Sequence, residues 1–151
     1  MSENHEHWML LAIGLAQQAA SNNEVPVGAL IVLNNQIVGE GHNQPIMSHD
    51  ATAHAEIVAI RAACSEENNY RIPGSTLYVT IEPCTMCVGA MIHARIDTVV
   101  FGASEPKAGA LVSNLQLHEN IFYNHKINVV AGILSDECSE LMVSFFRSKR
   151  S

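Results

Sequence analysis

Residues 76–103 read "TLYVTIEPCTMCVGAMIHARIDTVVFGA", and no other stretch constrains the fold as tightly. "TLYVTI" is a short run of apolar and β-branched residues, the pattern of a buried strand. Pro83 fits the first position of a helix, where its missing N–H costs nothing, so "PCTMCVGAMIHA" is expected to be helical. "DTVVFGA" then reads as a second strand. Strand, helix, strand implies a parallel pair joined by a right-handed crossover. The chain is therefore expected to be α/β, with helices packed on a mixed sheet.

The remaining elements fit around this unit. Trp8, Leu11, Leu15 and Ala19 recur at helical spacing, predicting a first helix from about His7 to Ala20. "VPVGALIVL" and "QIVGEGHN" read as strands joined by Asn34 and Asn35, a pair suited to the positive φ of a tight hairpin turn. "TAHAEIVAIRAAC" reads as a helix with Thr52 as N-cap. "INVVAGIL" is expected as the last strand and "DECSELMVSFFRSKR" as the last helix, with Leu141, Met142 and Phe145 on its inner side.

At 151 residues and 48% apolar composition, one domain over 1–151 is expected. No repeat, low-complexity tract or Gly/Ser linker divides the chain. The first twenty residues lack a basic n-region, and their apolar run is broken by Gln17 and Gln18, so neither export nor a membrane span is expected. The expected location is cytoplasmic. Four cysteines there stay reduced, which favours metal or thiol chemistry over structural disulfides. A formal net charge of −7 argues against nonspecific nucleic-acid binding, which needs a basic footprint. Arg147, Lys149 and Arg150 nevertheless crowd the carboxyl end as a local basic patch.

Cys84 and Cys87 lie three apart in the first turns of the helix after "TLYVTI", so both sulfurs project from one face. The helix dipole favours thiolates there. This geometry suits a metal site and a redox dithiol equally. "TAHAEIVA" adds His54 and Glu56 near the start of another helix, where they read alone as exposed capping residues. Combined with the cysteines, His54 completes a set of three ligands for tetrahedral zinc, with a fourth position open to water. Glu56 is then a nearby carboxylate that is not a ligand. Cys64 lies ten residues beyond His54, about 15 Å along the same helix, and cannot reach the same ion. His93 falls on the opposite face of its helix, whereas spacing leaves Cys138 open. Two thiolates and a neutral imidazole balance the zinc charge, and the ion can still bring bound water towards a pKa of about 7. Glu56 can take that proton and pass it to a ring nitrogen of a bound base, which amounts to hydrolytic deamination.

The H-x-E followed by P-C-x-x-C arrangement resembles the signature of the zinc nucleobase deaminases. The blocks "EVPVGALIV", "GEGHNQP", "DATAHAEI", "TLYVTIEPCTMCVGAMIHARI" and "VVFGA" are similar to the bacterial tRNA-specific adenosine deaminase family, over about Trp8 to Arg147. The resemblance implies a three-layer α/β/α cytidine-deaminase-like fold with a central mixed five-stranded sheet. It also implies a homodimer, one Zn²⁺ per subunit, and conversion of adenosine to inosine at the wobble position of a tRNA anticodon stem-loop. By position, His54, Cys84 and Cys87 look like the metal ligands and Glu56 like the catalytic proton shuttle. Asn43 in "GHNQP" matches the asparagine that holds the purine nucleotide, and Lys107 and Arg147 look like RNA contacts. Glu105 stands where the family commonly has aspartate near the bound RNA.

Three other readings compete. A free-base or nucleoside deaminase acting on guanine or cytosine would use the same zinc apparatus and better suit the −7 charge. A thiol-disulfide oxidoreductase would use Cys84 and Cys87 but leave "HAE" unexplained. A noncatalytic zinc-stabilised binding module would have no use for Glu56.

Overall fold

The computed structural model describes residues 4–120 and 122–150. Helix α1 (His5–Ser21) leads into strands β1 (Gly28–Leu33) and β2 (Gln36–His42), then a one-turn helix α2 (Pro45–Ser48) and helix α3 (Ala55–Glu66). Strand β3 (Thr76–Ile81), helix α4 (Thr85–His93) and strand β4 (Thr98–Ala103) form the expected crossover unit. A 3₁₀ turn at Leu117–Glu119, strand β5 (Asn128–Ala131) and helix α5 (Ser135–Arg150) complete the chain. Met1 to Glu3, Ile121 and Ser151 of the expected 1–151 domain lie outside the described residues. Among the described residues, no helix is long and apolar enough to cross a membrane.

The five strands form one mixed sheet in the order β2-β1-β3-β4-β5. β1 runs antiparallel to β2 and β3, while β3, β4 and β5 are mutually parallel, with Thr76 opposite Thr98 and Ile81 opposite Ala103. Asn34 and Asn35 turn the first hairpin with φ of 52° and 62°, the positive pair that suits the twist of a two-residue turn. Successive side chains point to opposite faces of the sheet. Ala29, Ile31, Leu77, Val79, Val99 and Phe101 enter the layer built on α3 and α4. Leu30, Val32, Tyr78 and Val100 enter the layer built on α1 and α5. The α/β/α architecture expected from the resemblance is the one that forms.

Several boundaries differ from the sequence expectations. β1 begins at Gly28 and not Val25, because Pro26 has no N–H for a ladder and the Val27 N–H turns back to the Val25 carbonyl. Thr52 does not cap α3, since its hydroxyl donates to Asp50; His54 occupies the cap. Pro83 lies one residue outside α4, whose N-cap is Cys84. Of the three α5 residues expected to face inward, Met142 packs on the core, whereas Leu141 lines an acidic groove beside α1 and Phe145 sits edge-on against Phe146. The buried member of α5 is Cys138.

α3 lies unusually close to β2. Its buried Ala55, Ala59 and Ala63 recur every fourth residue and face Gly39 and Gly41, which alternate along the strand. A Cβ on Gly41 would stand 2.4 Å from the Ala55 carbonyl oxygen, so neither helix nor strand has room for one. This contact fixes the height of the first turn of α3 above the sheet.

Gly41→Ala should therefore destabilise the protein by about 1–3 kcal/mol through overpacking. Gly14→Ala, where an added Cβ meets nothing within 4 Å, should stabilise it by roughly 0.5–1 kcal/mol. Urea midpoints measure both, and equal shifts for the two variants would contradict this packing.

Candidate metal and active site

The chain leaves the carboxyl end of β3 at Ile81, where open α/β sheets commonly place ligands. Glu82 and Pro83 lead to Cys84, the extended N-cap residue of α4, and Cys87 follows at its third helical position. His54 is the extended N-cap residue of α3. Two helix N-termini thus converge on one point, with unsatisfied N–H groups and positive dipole ends that favour thiolates.

His54 Nδ1 lies 3.7 Å from Cys84 Sγ and 3.6 Å from Cys87 Sγ. A tetrahedral zinc with bonds of about 2.0 Å to nitrogen and 2.3 Å to sulfur spaces such donors by about 3.5 Å. Both separations from His54 therefore match those of a bound ion, and all three donor atoms lie within 4.8 Å of one another. Among the described residues no fourth histidine, cysteine or carboxylate joins the group, which leaves one position open. Cys138, which spacing left open as a ligand, is buried in the layer of α1 and α5. Cys64 packs from the side of α3, and both are free thiols.

The donors are electrostatically primed for a cation. A hydrogen bond from Cys87, helped by His54, holds the Cys84 thiol down at about 3. The same bond and burial push Cys87 strongly upward. The hydrogen bond with Cys84 raises His54. Glu56 is 3% exposed, and burial pushes its carboxyl up to about 7 despite a hydrogen bond with Cys87.

A cavity of about 160 Å³ opens beside these groups, lined by His54, Glu56 and Cys84 together with Val25, Val27 and Asn43. Asn43 accepts the Ala55 N–H at 2.9 Å through Oδ1. That bond fixes the amide orientation, so the group it can offer a ligand is the Nδ2 donor. Glu24 accepts the Ile46 and Met47 N–H groups, tying the turn after α1 to α2 beside Asn43.

The same cavity is also lined by Glu82, Glu105 and Ala108. Burial opposes ionisation of Glu82, but hydrogen bonds from Ser113, Val112 and Glu105 outweigh it and hold the carboxyl at about 2. Glu105 accepts the Lys107 N–H, so its side chain shapes its own loop. Lys107 lines a second cavity of about 440 Å³ with Met142, Val143, Phe146 and Arg150, and Met142 belongs to both cavities. Arg147 lines neither. Sequence reasoning overlooked Glu82 and Phe146, and placed Arg150 only in the basic patch of the carboxyl end; the signal for Glu82 was an acidic residue directly between an apolar strand and Pro83.

The family model "Cytidine and deoxycytidylate deaminase zinc-binding region" matches residues 2–103. The chain is 46% identical over 150 residues to the tRNA-specific adenosine deaminase of Haemophilus influenzae, covering 99% of this chain and 87% of that protein. It is 41% identical to the tRNA-specific adenosine deaminase of Bacillus subtilis, over 96% of this chain and 90% of the relative. A solved structure from work on A-to-I editing by tRNA:A34 deaminases superposes with a TM-score of 0.87 at 40% identity, over 89% of this chain and 98% of that one. The guanine deaminase of Nitrosomonas europaea shares the fold with a TM-score of 0.81 but is 20% identical. The matched family is described as zinc-binding, and the present donor set of one imidazole and two thiols fits that ion. The chain belongs to the cytidine and deoxycytidylate deaminase zinc-binding family, in its branch of tRNA-specific adenosine deaminases.

Proposed function

We propose that this protein deaminates the wobble adenosine of a tRNA anticodon to inosine by hydrolysis. The observation that carries this reading is the open three-donor site of His54, Cys84 and Cys87 beside the buried carboxyl of Glu56, in one pocket. Relatives named tRNA-specific adenosine deaminases at 40–46% identity support adenosine in RNA as the substrate. In this reading His54, Cys84 and Cys87 hold one Zn²⁺, which when bound supplies Lewis acidity that makes water nucleophilic near neutral pH.

The chain's own groups do the rest. Glu56 accepts the proton from water and delivers it to N1 of the base, which makes C6 electrophilic. Oxygen adds to C6, a second proton carried by Glu56 reaches the exocyclic amine, and the C6–N bond breaks to release ammonia. Adenosine and water thus become inosine and ammonia. Burial of Glu56 suits a group that must hold a proton in mid-reaction and release it again, since a fully exposed carboxylate is too acidic for that. Asn43 donates from Nδ2 to an acceptor on the nucleotide, while Val25, Val27 and Ile81 exclude bulk water from the base. An anticodon loop presents its bases already unpaired, so drawing one into a pocket costs little. Lys107 and Arg147 supply phosphate contacts, and recognition through loop shape lets a chain of net charge −7 bind RNA.

The single domain acts in the cytoplasm as a homodimer, for which exposed Ile46, Met47, Val112 and Leu115 offer apolar surface. Light scattering should give twice 16.4 kDa; a monomer mass at micromolar concentration would contradict the dimer.

The functional test is unmodified tRNA with A at the wobble position, sequenced for inosine after incubation. Wild-type protein should form inosine there, while Glu56→Ala should keep its zinc and fold but lose at least about 10²-fold in kcat. Deamination of guanine or cytosine without inosine in tRNA would establish the free-base reading instead.

A further inference from the structure

Glu82 is a charged side chain only 2% exposed, placed between β3 and the Cys84 N-cap. Among the described residues no lysine or arginine pairs with it. Its charge is met instead by one loop. Oε1 accepts the Glu105 N–H at 3.1 Å and the Ser113 hydroxyl. Oε2 accepts the N–H groups of Leu111, Val112 and Ser113, at 3.2, 2.7 and 2.8 Å. Gly109 packs on the carboxyl group so closely that an added Cβ would lie 2.3 Å from its carbon. Backbone bonds run alongside, from the Glu82 N–H to the Ala103 carbonyl and from the Ala110 N–H to the Pro83 carbonyl.

Five converging donors need an acceptor with no hydrogen of its own, which among side chains of this length means a carboxylate. The loop so held is the one that carries Glu105 and Ala108 into the pocket wall and Lys107 into the neighbouring cavity. The zinc donors and Glu56 stand on α3 and α4, outside it.

We propose that Glu82 is a positioning residue for the substrate, anchoring the 105–113 loop to the same segment that carries Cys84 so that the RNA-facing wall is fixed before binding. This rests on the reading of the pocket as an RNA adenosine site. Its effect falls on substrate capture more than on chemistry, because Glu82 fixes the wall and not the groups that move protons.

The test compares the zinc-loaded wild type with Glu82→Gln, Gly109→Ala and Ser113→Ala, using an anticodon stem-loop with A at the wobble position. Gln places a donor amide against N–H donors, Gly109→Ala displaces the carboxylate without removing it, and Ser113→Ala removes a single donor. Glu82→Gln and Gly109→Ala should raise KM about 10-fold, with kcat within about 3-fold and zinc content unchanged, and Ser113→Ala should do so less. Hydrogen exchange of the Leu111, Val112 and Ser113 amides should speed up in the same order. Faster exchange with unchanged KM would overturn the proposal and leave Glu82 a stability residue, as would loss of zinc as the cause of any activity change. If Glu82→Gln does not fold, the other two variants decide by the same criteria. Wild-type turnover in the same experiment tests the substrate reading separately, since hydrogen exchange needs no RNA.

Discussion

The convergence of two helix N-termini at the carboxyl end of β3 is the constraint on which the rest of this structure depends. α3 brings His54 and α4 brings Cys84, each as the N-cap residue, and their donor atoms meet at 3.7 Å. The sheet makes that meeting possible. Parallel pairing of β3 with β4 sets α4 on one face, and the alanines of α3 pressed against Gly39 and Gly41 set the other helix at the matching height. The positive ends of both dipoles then stabilise sulfur anions in a half-buried place where isolated charge is costly.

Three glutamates are buried around this centre, and their surroundings give them different work. Glu82 meets five donors and is held ionised at about 2, so it serves as a fixed anchor. Glu24 meets two N–H groups and ties α2 to the turn after α1. Glu56 lacks such a cage, and burial lifts it to about 7. A carboxyl that is neither locked as an anion nor freely hydrated is the one able to exchange protons with water and substrate. The same residue type thus ties loops together at Glu24 and Glu82, where backbone N–H groups of other segments converge, and at Glu56 stands beside the metal donors with burial dominating.

Much of this was legible in the sequence, for identifiable reasons. The crossover at 76–103 and the Asn34-Asn35 turn depend on local pattern, which a linear reading sees well, while "HAE" and "PCTMC", thirty residues apart, were paired by their complementary donor types and by the family signature they resemble. The cap residues were misplaced by one or two positions because Thr52 is taken by Asp50 and Cys84 stays extended, choices settled by neighbours and not by propensity. Glu82 was invisible as an anchor because its partners lie 23 to 31 residues away in a loop without periodicity. The adjoining cavity drew on Phe146 and Arg150, and not on Arg147, because which side of α5 faces Lys107 depends on how the helix docks.

The charge of −7 is unevenly placed on the molecule. The acidic groove lies between α1 and α5, while Lys107 and Arg150 line a second cavity that shares Met142 with the one beside the metal donors. What defines the chemistry is the source of the new oxygen on the base. Turnover of an anticodon stem-loop in water enriched in oxygen-18 measures it, by mass spectrometry of the released nucleosides. Hydrolysis at an open zinc position predicts inosine carrying one solvent oxygen at C6. Inosine without the label, or label elsewhere in the nucleoside, would contradict this account of the site.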